Sequence, residues 1–304
     1  MRVLTISIVA AAATFAAQAQ TYTLEPFQVV HPLYGPFNTN AMAVNNRGAV
    51  VGFLDFAKDH GRIPVIRGFK RDADGTFEYP ITDPYDDAEF TSAQGINDMG
   101  TTVGRYTNSQ GYHFHGFIES QRTFTTVDEG GGPNTWIMGI NNRGDYVGAY
   151  GVETSPEHGF SRIGAKFQQI DVPGAQSTQA QAVAYDGTVV GCAGTLTAGV
   201  GFFRNPQGAL TTFQVAGSVL TCGWGINSAA GTMVGYYEMA GNAYHGFVYN
   251  YRANGVPSGD IKVTTIDYPG AVLTWVTGVN DRGVIVGLPA PAAGPRELSF
   301  FGTP

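Results

Sequence analysis

The chain has 304 residues, a formal charge of −7 and a low content of charged side chains, 13% of the total. That acidic balance, with no basic cluster, excludes a binder of phosphate backbones, which presents a net basic surface. Glycine is abundant at 42 residues, and Tyr, Phe and Thr are plentiful, a composition of turns and strands.

The N-terminus reads as a processing signal. Arg2 supplies a small positive charge, Val3 to Ala17 is apolar, and Ala17-Gln18-Ala19 offers small residues where a signal peptidase cuts. The expectation is a signal peptide over 1–19 and a secreted chain, extracellular or periplasmic, with residues 20–304 forming one domain. The apolar run is too short to span a bilayer with ordinary flanks, and no later stretch approaches that length.

Next comes a recurring phrase: a small residue, Val or Ile, Asn, a tight turn with Gly, then Val-Gly. It begins as Ala43-Val44-Asn45-Asn46-Arg47-Gly48 and runs on to Val51-Gly52. It returns from Gly95-Ile96-Asn97, Gly139-Ile140-Asn141, Ala182-Val183-Ala184, Gly225-Ile226-Asn227 and Gly278-Val279-Asn280. The fourth copy has Ala184 in place of Asn, and the fifth has one extra turn residue. The closing glycines Gly52, Gly104, Gly148, Gly191, Gly235 and Gly287 are 52, 44, 43, 44 and 52 residues apart. A second phrase follows in each copy: His115-Gly116-Phe117, His158-Gly159-Phe160 and His245-Gly246-Phe247, with weaker forms at Arg67-Gly68-Phe69, Val200-Gly201-Phe202 and Leu298-Ser299-Phe300. A third, Thr-Thr-Val/Ile-Asp and its variants, precedes Pro-Gly-Ala at Pro173 and Pro269.

Each copy therefore predicts four short strands in about 44 residues, the size of one propeller blade. A strand-only unit this small cannot bury its faces alone, so copies must stack. The sixth copy lacks a fourth strand, while Pro26–Pro32 ahead of the first copy resembles an orphan one. The expectation is an all-β, six-bladed β-propeller closed by an N-terminal strand that completes the last blade. A β-helix or a pair of sandwiches explains the permutation less well.

These phrases resemble the HAF repeat family of extracellular bacterial proteins, named for a His-small-Phe core. The resemblance runs from about Phe27 to the end. It implies location and architecture and carries no reaction or catalytic residue.

Residues present once per copy read as structural. These are His115, His158 and His245, the turn asparagines, and Asp128, Asp171 and Asp267, which are expected to hold turns through backbone hydrogen bonds. Candidate ligand contacts lie where copies differ, on the loops joining strands two and three: Asp55, Asp59 and His60, Tyr106, Asn108 and Tyr112, Tyr150 and Glu153, Tyr237 and Glu238. The alternative reading of the same loops is a solvated rim. Trp136 and Trp275 occupy equivalent places near the channel mouth, as ligand platforms or as packing between blades, with Cys222 at the same place in the fifth copy. Cys192 and Cys222 form a disulfide or remain buried thiols; export favours the bond. The acidic run with Asp83, Asp86, Asp87 and Glu89 is a calcium candidate, though it lacks the spacing of a dedicated loop, which favours a solvated acidic turn.

No nucleophile elbow, metalloprotease pair, phosphate loop or dinucleotide fingerprint appears. The sequence thus reads as a monomeric, non-catalytic binding module for a glycan or protein, with calcium the one cofactor left open. The rival reading is a polysaccharide hydrolase or lyase, which needs paired carboxylates converging from Asp55, Asp86, Glu153 and Glu238.

Overall fold

The computed structural model describes residues 21–31, 35–36, 38–56, 65–86, 90–108, 113–151, 157–195, 198–291 and 298–304. His60, Asp59, Tyr112, Glu153, Asp87 and Glu89 lie outside them, as does the predicted signal over 1–19. The fold is all-β but for one four-residue helix among the described residues.

After β1 (Thr23–Phe27) and the short pair β2 (Val30–His31) and β3 (Gly35–Pro36), the chain builds antiparallel units of four strands. Unit one is β4 (Asn38–Val44), β5 (Val50–Phe56), β6 (Val65–Arg71) and β7 (Phe77–Ile81). Unit two is β8 (Thr91–Ile96), β9 (Thr102–Thr107), β10 (Phe114–Ser120) and β11 (Thr123–Val127). Unit three is β12 (Asn134–Ile140), β13 (Tyr146–Gly151), β14 (His158–Ile163) and β15 (Lys166–Ile170). Unit four is β16 (Ser177–Val183), β17 (Val189–Gly194), β18 (Gly199–Arg204) and β19 (Leu210–Val215). Unit five has β20 (Leu220–Asn227), β21 (Thr232–Met239) and β22 (Ala243–Asn250). An insertion follows with α1 (Tyr251–Asn254) and β23 (Gly259–Ile261), and then the outer strand β24 (Thr264–Ile266). Unit six is β25 (Ala271–Val279), β26 (Ile285–Pro291) and β27 (Ser299–Thr303).

The fourth place in unit six is taken by β1, antiparallel to β27 from Thr23↔Thr303 to Phe27↔Ser299. This strand lies a few residues earlier than the sequence suggests. Val29 is outside it because its N–H goes to Thr39 Oγ1 at 3.0 Å. The same bond recurs before every first strand: Asp83 to Thr91, Glu129 to Thr135, Val172 to Thr178, Val215 to Thr221 and Tyr268 to Thr274. These threonines are all buried and stand four residues before the small residue of the repeat phrase.

Two features make each unit. Every first strand carries a β-bulge just before its small residue, as between Ile137 and Gly139. Beside it, the glycine of Val-Gly pairs in register with the third-strand Phe, as Gly148 does with Phe160. A Cβ at Gly148 would stand 1.8 Å from the Trp136 carbonyl oxygen and 3.0 Å from the Phe160 ring, so only glycine fits. The six equivalent rings, Phe69, Phe117, Phe160, Phe202, Phe247 and Phe300, are fully buried.

The turn end carries a hydrogen-bond relay. Asn45 Oδ1 accepts from the N–H groups of Arg47 and Ala49, closing its own turn, while its Nδ2 donates to the Asn97 carbonyl. Asn97 reaches Asn141 in the same way, Asn141 reaches Ala184, and Asn280 reaches Asn45. The relay stops at Ala184, which has no donor, and at Asn227, whose Nδ2 is buried without a partner. The extra residue in the unit-five turn explains the second break: Asn227 Oδ1 accepts from Ala229 and Ala230, a shifted turn.

Candidate functional site

Two cavities follow from this arrangement. At the turn end, one of about 570 Å³ is lined by turn residues of all the units, from Asn45 and Asn46 to Asn280 and Asp281. Its polar walls are largely committed to each other, as Asn46 is to Asp98 and Asp281. Deeper, a constriction of about 80 Å³ is lined by the first strands, with the bulge residues Met42, Gln94, Met138, Gln181, Trp224 and Thr277 among its walls.

The strand two–three and strand four–one connections gather at the opposite, loop end. There a residue pair links neighbouring units at three of the joints. The residue after Val-Gly (Phe53, Arg105, Ala149, Cys192, Tyr236, Leu288) is never the same twice. It pairs in register with a first-strand residue of its own unit: Asn40, Ser92, Trp136, Gln179, Cys222 and Trp275 respectively. Across the joints, Cys192 of unit four is bonded to Cys222 of unit five, with Cα atoms 4.7 Å apart. Tyr236 of unit five stacks on Trp275 of unit six at 4.8 Å, and Arg105 of unit two lies 5.5 Å from the Trp136 ring of unit three. The sequence equivalence of Trp136, Cys222 and Trp275 is therefore equivalence at a joint.

The unit five–six joint gathers four aromatic rings. Trp275 and Tyr236 are joined by Trp224, 6.0 Å from Trp275 and 5.6 Å from Tyr236, and by Tyr244 at 6.2 Å from each. All four rings are half-buried. Burial pushes the Tyr236 hydroxyl up to about 12. Burial and then a hydrogen bond to Glu238 push up that of Tyr244. Glu238 is itself buried.

The unit two–three joint is built around a cation. Arg105 lies 5.0 Å from the Phe114 ring and 5.6 Å from that of Phe90 as well as over Trp136. Burial lowers its pKa to about 10, leaving it charged at neutral pH, and Glu157 acts weakly in the other direction.

Other predicted contacts are differently used. Tyr106, Tyr150 and Tyr237 are buried, and each packs its ring against the histidine of its own unit, His115, His158 or His245, at 5.1–5.4 Å. Their hydroxyls bond Thr126, Gln169 and Thr265. They lie inside strands, leaving a ligand little surface. The same histidines bond Asp128, Asp171 and Asp267 through Nδ1 at 2.8–2.9 Å. These aspartates thus hold the neighbouring strand through His, where the sequence suggested backbone bonds. Asn108 faces His115 Nε2. Copies without His have Leu54, Ala193 or Pro289 in place of the Tyr, so the pair comes and goes together.

Asp55 is held by Asn38 and Asn40. Of the four calcium candidates, Asp83 and Asp86 are described. Asp86 is engaged by Arg67 at 3.0 Å and by the Phe90 N–H and Thr91 hydroxyl. Asp83 is buried, with Oδ1 on the Tyr85 N–H and Oδ2 unpartnered, and burial raises its pKa. No group of three or more potential metal ligands occurs among the described residues. No described helix is long and apolar enough to cross a membrane.

Arg105, Tyr236, Trp224, Tyr244 and Glu157 escaped the sequence reading. The signal available for the first two was the varied residue after an invariant Val-Gly.

No family model and no curated protein matches the chain. Solved structures do. A neuraminidase-like protein from A/bat/Guatemala/164/2009 superposes with a TM-score of 0.54 at 10% identity, over 93% of this chain and 94% of that one. A putative gluconolactonase gives 0.51 at 12% identity, over 93% and 94%. The β-propeller domain of the Trilobed protease from Pyrococcus furiosus gives 0.48 at 10% identity, over 88% and 94%. At such identities the likeness concerns architecture alone: the chain has an all-β fold with propeller-like neighbours of varied function.

Proposed function

We propose that this chain is a secreted, six-bladed β-propeller of the HAF-repeat kind, closed by its N-terminal strand, that binds an extracellular glycan at its loop end without transforming it. Closure is supported by the β1–β27 pairing, by the Val29–Thr39 bond that repeats every other inter-unit connection, and by the Asn280–Asn45 relay. Thr277 also donates to the Ala41 carbonyl across the same joint.

The binding reading is carried by one observation, the half-buried quartet of Trp224, Tyr236, Tyr244 and Trp275 beside the channel. Flat aromatic faces stack on the C–H faces of sugars, and the rigid stack costs little entropy on binding. The hydrolase or lyase reading needs two free carboxylates that converge on one bond. Asp55 is tied to unit one, Asp86 to Arg67, and Glu238 to Tyr244, each by its own local partners.

The test is calorimetry of the mature chain against sized neutral and acidic oligosaccharides, followed by analysis of the recovered sugar. Binding with intact sugar is expected. Trp275→Ala is expected to weaken it by about 2 kcal/mol, the loss typical of a central aromatic contact. Shortened sugar after incubation would return the enzyme reading.

A further inference from the structure

The unit two–three joint holds polar groups that its own fold does not use. Arg105 Nε and Trp136 Nε1 are both buried and hydrogen-bond to nothing, and so is Nδ1 of His113, the residue beside Phe114. The guanidinium is clamped by the rings of Phe90, Phe114 and Trp136, which fix its plane but cannot neutralise its charge. No carboxylate among the described residues makes an ion pair with it. Glu157, the acid close enough to act on it, has Oε2 occupied by Gln179 and Ser177. A half-buried cation without a counter-ion, beside an unused indole donor, is costly unless a partner arrives from outside.

Arginine is also specific to this joint. The equivalent residues are Phe53, Ala149, Cys192, Tyr236 and Leu288. A role in holding units together does not require it, since a disulfide and an aromatic stack do that at two other joints.

We propose that this joint is the acidic subsite of the loop end, in which Arg105 takes the carboxylate of a uronic-acid residue and the Trp136 indole N–H adds a second donor. The inference rests on the glycan reading above and names the ligand's class: an acidic polysaccharide. The guanidinium fork matches a carboxylate in two parallel bonds, which an ammonium group cannot imitate. Three aromatic rings hold that fork before the ligand arrives, so little ordering remains to be done on binding. The glycan is favoured over an acidic peptide because the same end presents the aromatic quartet, suited to sugar faces.

The experiment compares galacturonate trimer with galactose trimer by calorimetry at low salt. Wild type is expected to bind the acidic trimer at least about tenfold more tightly, as a charge-assisted pair would give. Arg105→Gln should abolish that preference and leave the neutral trimer unchanged. Arg105→Lys should restore only part of it. Trp136→Phe keeps the ring and removes the indole donor, so it should lose about three-fold on the acidic trimer alone. Trp275→Ala should weaken both trimers in the same proportion, which separates failure of the aromatic platform from failure of the acidic subsite. Equal binding of the two trimers by wild type overturns the inference, as does a preference that survives in Arg105→Gln. A direct readout is the Arg105 Nε–H resonance, expected to move on adding galacturonate. No movement, or tighter binding of a triglutamate peptide than of the acidic trimer, also overturns it.

Discussion

The two ends of this molecule solve the same problem in opposite ways. At the turn end, neighbouring units are joined by one repeated device, an asparagine whose Oδ1 closes its own turn and whose Nδ2 reaches the next carbonyl. At the loop end three joints each have their own chemistry: a disulfide, an aromatic stack, a cation over rings. The difference is not scattered at random. The relay is missing at the joints of unit four with five and of five with six, and there the loop end carries the disulfide and the Tyr236–Trp275 stack. The unit-five insertion adds to this. Its β23 pairs with β19 of unit four, Tyr251 packs on Phe203, and Arg252 caps the irregular turn at Ser228. Weakness at one end coincides with reinforcement elsewhere on the same joint.

That coincidence can be broken in order of expected effect. Replacing both Cys192 and Cys222 with Ser opens a loop of 30 residues and is expected to cost about 3–4 kcal/mol in urea unfolding. A loss smaller than that of one relay asparagine would mean that the joint does not lean on the bond. Asn97→Ala removes two part-buried accepted bonds and one buried donated bond, for about 2–3 kcal/mol. Asn227→Ala removes only its turn bonds, so it should cost about 1 kcal/mol less. Equal costs would show that the relay contributes nothing.

The smallest expected effect concerns pH. The buried Asp83 carboxyl, at the loop end between units one and two, has its pKa raised by desolvation. Its native state therefore holds a proton more tightly than the unfolded chain does. The stability this residue contributes is complete below the ordinary carboxylate pKa and is lost as pH rises through the raised one. Asp83→Asn keeps the acceptor for the Tyr85 N–H, so it should stabilise the fold at pH 7 and do nothing at pH 3. A stability gain of the same size at both values would rule out titration as the cause.

The turn end was legible because its phrase recurs with Asn and Gly at fixed spacing, and only their double use was hidden. The six threonines from Thr39 to Thr274 recur just as strictly. They went unread because Thr is common and its neighbours change from copy to copy. Tyr106, Tyr150 and Tyr237 read as loop residues in the sequence because they stand near the ends of their strands. Their pairing with the His of the next strand needs strand register, which spacing alone does not give. At the loop end the copies differ inside the strands as well as in the loops. Arg105 and Tyr236 sit one residue past an invariant Val-Gly, where a change of residue is a change of joint.

The most direct test of the division between the ends uses the three tryptophans of the chain, Trp136, Trp224 and Trp275, all on first strands. Their indole N–H resonances, and the side-chain amides of Asn45, Asn97 and Asn141, are followed while galacturonate trimer is added to the labelled protein. The indole signals are expected to move together with one affinity and the asparagine amides to stay in place. Amides that shift at the turn end while the indoles stay fixed would contradict it.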